Sequence, residues 1–421
     1  MAATHGKNAF FFVLVTVFLD MVGFGLIMPV LPDLISELTG TSIAEAVKWA
    51  GPITAIYALM NFLCGPVLGN LSDKYGRRPV LLFSVAMLGF DFLIMALSQN
   101  IWMLFVGRAL SGVSGATFST AQAYIADVTE PERRGGAFGM IGAAFGLGFI
   151  IGPALGGFLG DFHTRAPFFA AAALSLINFC YGAFVLPESL DAEERRPFDI
   201  KRANPFGAFK HFSKLPMVSL FLVTLFLYSM SHTAYASIWS YHGAIRYDWD
   251  ERTIGLSLTL VGLTAAIVQG ALTGRLISRF GAIKTAWLGL CVNTGSMLLF
   301  AFAGQGWMAF AIIVISGLGG VQGPSVQSIM SNQTPKNAQG ELQGATASLQ
   351  SIAMIISPLI MTSLLHAFST QDAPIYFPGA PFLLAAALVA LAAIPFSIGV
   401  ARIRAHAATT DASSKAEAPA E

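Results

Sequence analysis

Apolar runs long enough to cross a bilayer, joined by short polar turns, set the pattern of this chain. Two neighbours show it: ITAIYALMNFLCGPVL (53–68) and VLLFSVAMLGFDFLIMAL (80–97) flank the charged stretch GNLSDKYGRRP (69–79). Roughly 20 apolar residues wound as a helix span a hydrocarbon core of about 30 Å, where the backbone must satisfy its own polar groups. Twelve such spans are predicted, at 8–31, 47–70, 79–98, 101–125, 136–160, 165–186, 216–240, 253–275, 283–302, 307–332, 341–366 and 376–400. The longest polar stretch, 186–214, divides them six and six. The predicted protein is all-α and membrane-integral, with an N-terminal six-helix half (1–186), a linker (187–215), a C-terminal six-helix half (216–400) and a tail (401–421). The tail, rich in Ala, Ser, Thr and Glu from about Ala405, is expected to be disordered. The first span is too long for a signal-peptide core and no small-residue cleavage site follows it, so it is expected to be retained.

The two halves repeat each other. At an offset of 205 residues, GNLSDKYGRRP (69) falls on GRLISRFGAIK (274), SGVSGA (111) on SGLGGV (316), Gly135 on Gly340, Gly139 on Gly344 and Pro153 on Pro358. A duplicated unit of six spans keeps its orientation, so the halves are expected to be related by an axis along the membrane normal. A substrate cavity is then expected between them, near the midplane.

Composition and charge narrow the function. Of 421 residues 55% are hydrophobic and only 11% charged, the mean hydropathy is +0.67 and the net charge +1. This excludes a nucleic-acid binder, which needs clustered, solvent-facing Lys and Arg. Cys64, Cys180 and Cys291 lie in separate apolar segments without CxxC spacing, so no disulfide framework, metal site or cofactor is predicted. Lys and Arg crowd one set of loops, leaving only Lys48, Arg165, Arg246 and Arg252 for the other set and Arg108 inside a span. By the positive-inside rule both termini face the cytoplasm of a multi-pass protein in the cell's inner (plasma) membrane.

The charged stretch at 69–79 has the form G-x-L-x-D-x-x-G-R-R-P. Gly69 and Gly76 are expected to permit a tight turn, while Asp73, Arg77 and Arg78 can pair across helix ends and hold one conformation. Here the chain resembles the major facilitator superfamily, whose loop between helices 2 and 3 has this signature. The resemblance covers nearly the whole chain. LDMVGFGLIMPVLP (19–32), GRALSGVSGATFSTAQAYIADVT (107–129) and FGLGFIIGPALGGFLG (145–160) are similar to twelve-helix drug:proton antiporters, the tetracycline exporters among them. The last stretch resembles the motif of antiporters in this superfamily. Its Gly148, Gly152, Pro153, Gly156 and Gly157 independently predict a fifth helix that approaches a neighbour closely and bends.

Ionisable groups within spans are functional candidates, because each costs about 2.5–3.5 kcal/mol at the bilayer centre on insertion scales. Asp20, Asp91 and Arg108 lie inside spans and Asp127 at the cytoplasmic end of the fourth. They are the candidates for proton coupling, and the resemblance implies functional importance for Asp20, Asp91 and Arg108; a fixed structural ion pair is the alternative. Their repeat partners Leu225, Ser296, Ile313 and Asn332 are uncharged, which confines proton coupling to the first half. In tetracycline exporters an acid stands where this chain has Asn293 and a histidine where it has Ala265, and both are tied there to the metal–tetracycline cation and the proton. This chain departs from the family at both. Candidate cavity residues are Tyr57, Asn61, Gln122, Gln269, Asn293, Gln322 and Gln327, with His232 placed near one end of its helix and facing water.

The reading is a secondary-active exporter of a largely apolar small molecule in exchange for protons, working as a monomer in a lipid bilayer. A carrier without that coupling, moving a lipid-like molecule or metabolite, is the alternative. No HExxH, nucleophile elbow or GxxxxGK[ST] loop supports an enzyme or an ATP-driven pump.

Overall fold

The computed structural model describes residues 2–115, 117–130, 133–199, 204, 218–335 and 338–416. Twelve helices among them are long and apolar enough to cross a membrane. In chain order they are α1 (Ala2–Ile27), α2 (Ile43–Tyr75), α3 (Arg77–Leu97), α4 (Ile101–Val128), α5 (Arg134–Phe162), α6 (Ala166–Val185), α7 (Ser219–Tyr247), α8 (Glu251–Phe280), α9 (Ala282–Phe302), α10 (Gly306–Asn332), α11 (Gln339–Ser369) and α12 (Ala380–Ala416). A short helix, Leu31–Thr39, joins α1 to α2 and ends on Gly40 in the left-handed conformation. No strand occurs among the described residues.

Several helices outrun the predicted spans, because hydropathy marks the membrane core while hydrogen bonding decides where a helix stops. α2 begins where the Ser42 hydroxyl accepts the Glu45 N–H. It continues through the polar GNLSDKY to Tyr75. Gly69 therefore sits inside a helix with open space beside it, not in a turn. The turn is Gly76 alone, whose φ of +105° suits a residue without Cβ. Its repeat partner Gly281, at φ +81°, makes the same turn between α8 and α9. The second repeated motif also acts alike in both halves. α4 breaks from helical geometry at Ser114–Gly115, and α10 tightens into a 3-10 turn at Leu318–Val321. α12 runs on to Ala416, through most of the tail expected to be disordered; alanines 405, 407, 408, 412 and 416 favour helix intrinsically. Of the linker, residues 187–199 and 204 are described. Lys201, Arg202, Lys210, Lys214 and Lys336 of the basic loop set lie outside the described residues.

Among the described residues the two halves share an apolar core toward one end. Near the loop end, which carries Gly76 and Gly281, each half has its own apolar core: Phe12, Leu81, Tyr124 and Ile141 in the first, Phe221, Leu290, Met330 and Phe396 in the second. At the opposite end one core crosses between them, from Leu26, Ile53 and Phe92 to Ile238, Phe300 and Met361. Two related contacts seal that end. A Cβ on Gly255 of α8 would collide with the Pro153 carbonyl of α5, and one on Gly51 of α2 would lie 2.9 Å from the Pro358 carbonyl of α11. Pro153 and Pro358 are repeat partners, so the seal itself repeats. Hydrogen bonds add to it, from Ser240 Oγ to Met28 O (2.8 Å) and Thr259 Oγ1 to Ile150 O (3.2 Å). The loop-end glycines of α5, Gly135, Gly139, Gly142 and Gly146, by contrast touch nothing that a Cβ would meet.

Candidate functional site

Three of the predicted ionisable residues meet in the middle of the first half. Asp91 of α3 is wholly buried and pairs with Arg108 of α4, which is itself 8% exposed. The guanidinium carbon lies 5.6 Å from the centre of the Tyr57 ring on α2, close enough for cation–π attraction. Asp20 of α1 is buried on the wall of a cavity that it shares with Met21, Phe24, Tyr57, Ser84, Ser111, Thr117 and Phe118. One Asp20 oxygen, Oδ1, has no hydrogen-bond partner among the described residues. The first half thus holds one ion-paired carboxylate, Asp91, and a second, Asp20, that shares its cavity wall with Tyr57. Such a set can pass a proton or bind a donor group. Asn61 lies one turn beyond Tyr57 and faces Gly115, where α4 is broken.

Asp127 belongs elsewhere. It accepts from Arg77 Nε (3.1 Å) and Ser189 Oγ (3.1 Å) at the loop end. Arg77 also bonds Asp73 and Ser72 Oγ (2.7 Å), so one guanidinium clamps the ends of α2 and α4 together. Arg78 donates to the Ala183 carbonyl of α6 (2.7 Å). Sequence reasoning missed Glu188, whose Oε1 accepts the Arg77 N–H (2.7 Å), Ser189 N–H (3.0 Å) and Leu190 N–H (3.2 Å) and so caps α3. The linker is strapped down further by Arg196 N to Asp73 O (3.0 Å) and Asn70 Nδ2 to Asp199 O (2.6 Å). The signal was the Glu of LPES directly after the sixth span, hidden in a stretch read only as a linker.

The glycines of α5 divide their work. Gly148, Gly152 and Gly156, four residues apart, let α1 pass at backbone contact, with the Phe18, Val22 and Leu26 carbonyls where Cβ atoms would stand. Gly157 faces Glu251 and Arg252 of α8 in the other half. Pro153 lies within the unbroken helix α5.

In the second half, Asn293 does not stand free in a cavity. Its amide donates to Gly319 O (3.0 Å) and Gln322 Oε1 (2.9 Å), tying α9 to the 3-10 turn of α10, and both side chains are buried. Gln122 and Gln269 are exposed and Gln327 half-buried. His232 lies at the middle of α7, because that helix extends to Tyr247, well past its predicted end. Among the described residues no group of His, Cys, Asp and Glu is arranged to hold a metal ion.

Two six-helix halves that share an apolar core toward one end and keep separate cores toward the other define a membrane transporter rather than an enzyme. The chain belongs to the Major Facilitator Superfamily, whose family model matches residues 13–358 and, again, 221–419. It is 40% identical over 379 residues to the tetracycline resistance protein, class C, of Escherichia coli, covering 90% of this chain and 95% of that protein. It is also 40% identical over 356 residues to the class G protein of Vibrio anguillarum, covering 84% and 89%. Among solved structures it is similar to the nucleoside transporter NupG, with a TM-score of 0.78 at 12% identity over 93% of this chain and 99% of that one. That last likeness speaks for the fold alone.

Proposed function

We propose that this protein exports a largely apolar, drug-like small molecule across the inner membrane in exchange for protons, by rocking one six-helix half against the other. The observation that carries this is the grouping of Asp20, Tyr57 and the buried Asp91–Arg108 pair about a cavity lined by first-half residues, in a protein whose two halves share an apolar core toward one end. Its support is twofold: the chain is 40% identical to proteins named for tetracycline resistance, and a buried acid that changes surroundings as the cavity switches sides takes up and releases protons. The loop end carries the crowd of Lys and Arg, so the positive-inside rule puts it, with both termini, in the cytoplasm. The end at which the halves keep separate cores is then the cytoplasmic one. Asp73, Arg77 and Asp127 clamp the cytoplasmic helix ends within the first half. Breaking and remaking these ionic contacts accompanies each cycle, and one chain suffices for it.

Tetracycline itself is one member of the substrate panel. Asn293 and Ala265 replace the titratable groups that tetracycline exporters carry, and Asn293 is engaged with Gln322. The test is proton flux in proteoliposomes under an imposed pH gradient, on adding candidate compounds including magnesium-tetracycline. Compound-dependent proton movement is expected. Substrate movement without any proton movement would overturn the coupling and leave a uniporting carrier.

A further inference from the structure

The repeat lets one half serve as a control for the other. At the loop end of the first half an open cavity of about 490 Å³ is lined by Asp73, Asp127 and Glu194 together with Arg77 and Arg196, and Arg77 pairs there with Asp73 and Asp127. The second half holds an open cavity of about 370 Å³ at the corresponding place, between the turn that joins α8 to α9, the end of α10 and the stretch of α12 around Arg404. Its charges are of one sign. At the offset of 205 residues Asp73 becomes Ser278 and Asp127 becomes Asn332, which lines the cavity, while Lys284 and Arg404 stand on its wall.

Arg275 and Arg279 at the end of α8 and Arg402 on α12 add to that charge, and all five cations are exposed. None of the five pairs with a carboxylate among the described residues. The rest of the lining is largely apolar, with Phe280, Ile283 and Ile403 around the two cations, and Phe280 is half exposed. A loop that only orients the chain in the membrane needs its cations anywhere along it. Here Lys284 and Arg404, 120 positions apart, converge on one apolar-lined cavity. Like charges gathered without counter-charge repel one another, and a bound anion relieves that repulsion. The apolar lining calls for hydrocarbon beside the anion. An anionic phospholipid supplies both in one molecule, and basic pockets between helices at the membrane surface suit its head group.

We propose that the loop-end cavity of the second half binds an anionic phospholipid, with Lys284 and Arg404 taking the phosphate of its head group and Phe280, Ile283 and Ile403 taking the start of its acyl chains. A guanidinium can hold a phosphate by two parallel hydrogen bonds, and an ammonium adds a point charge. The lipid ties α12 to the turn between α8 and α9, and so does for the second half what Asp73 and Asp127 do through Arg77 for the first. This inference goes beyond the exporter reading and depends on neither its substrate nor its proton.

The test titrates the purified full chain with dioleoyl phosphatidylglycerol or dioleoyl phosphatidylcholine and counts bound lipid by native mass spectrometry. Each Lys or Arg near an anionic head group is worth about fivefold in affinity. Wild type is therefore expected to bind phosphatidylglycerol about 20- to 30-fold more tightly than phosphatidylcholine. Lys284→Gln and Arg404→Gln are each expected to weaken phosphatidylglycerol about fivefold, and the double variant to lose the preference. Lys284→Arg, which keeps the charge, is expected to stay within about twofold of wild type, and Arg196→Gln, at the first-half cavity, to leave the affinity unchanged. Equal affinity for the two lipids in wild type, an unchanged preference in the double variant, or an equal loss in Arg196→Gln would each overturn the site. Displacement of the lipid by inorganic phosphate at the lipid's own concentration would also overturn it, by making the cavity a site for free anions. The exporter reading is scored separately: a chain that selects phosphatidylglycerol but moves no protons loses the antiport and keeps the lipid site.

Discussion

Replacing Asp91 by Asn separates a fixed structural pair from a working one. Asp91 has no exposed surface and Arg108 is 8% exposed, so the substitution strands a guanidinium in a nearly dry site. Breaking a buried pair by removing one partner costs about 3–5 kcal/mol. Asn keeps the shape and one acceptor oxygen, and Tyr57 still offers its ring to the cation, which puts the expected loss near the lower bound, about 3 kcal/mol. In the double variant Asp91→Asn with Arg108→Gln the stranded charge is gone and two amides can bond, so most of that loss is expected to return. Stability is read from unfolding of the purified protein in a denaturing detergent series, and transport from gradient-driven proton flux in proteoliposomes. The expected pattern is low stability and no coupled flux in the single variant, then recovered stability and still no flux in the double. A single variant destabilised by less than about 1 kcal/mol would refute the burial argument. A double variant that regains both stability and flux would make the pair a structural one and move the proton elsewhere.

Three further outcomes follow from the same geometry. Gly255→Val places a Cβ on the Pro153 carbonyl, where neither backbone can give. It is expected to shift the population toward conformers parted at the now sealed end, read as increased labelling of a cysteine introduced at that end; unchanged labelling would show that the proline–glycine contact does not set the seal. Asp73→Ala removes one of the two carboxylates on Arg77 and is expected to slow turnover with little change in substrate affinity, so a large affinity loss would contradict its gating role. At the sealed end Asp33 is pushed up from 3.8 to about 6, by burial first and by the charge of Glu251 from the other half second. A carboxyl raised in this way holds a proton in the joined state that it lacks when free, so its contribution is complete below its ordinary value and is lost as pH rises through about 6. Labelling at that end is therefore expected to rise from about pH 5 to about pH 7 and to become flat in Asp33→Asn; a slope surviving that substitution would assign the dependence to another group.

The sequence by itself determined the twelve spans, the six-plus-six division, the duplication and the places where chemistry had to lie. The reason is physical: satisfying the backbone in hydrocarbon is a local demand, so span, turn and stray charge are each readable in one dimension. The repeated motifs reached further, since Gly76 and Gly281 make the same left-handed turn and the SGVSGA and SGLGGV stretches disturb α4 and α10 alike. Tertiary structure decided which neighbours each candidate met. It placed Asp127 with Arg77 and not with Asp91, put Gly69 inside a helix, made Glu188 the cap of α3, engaged Asn293 with Gln322, and set His232 at the middle of α7. It also decided which end is sealed. Those outcomes depend on contacts between residues tens to hundreds of positions apart, and on which of two packings of the same halves is occupied, neither of which the order of residues along one helix can specify.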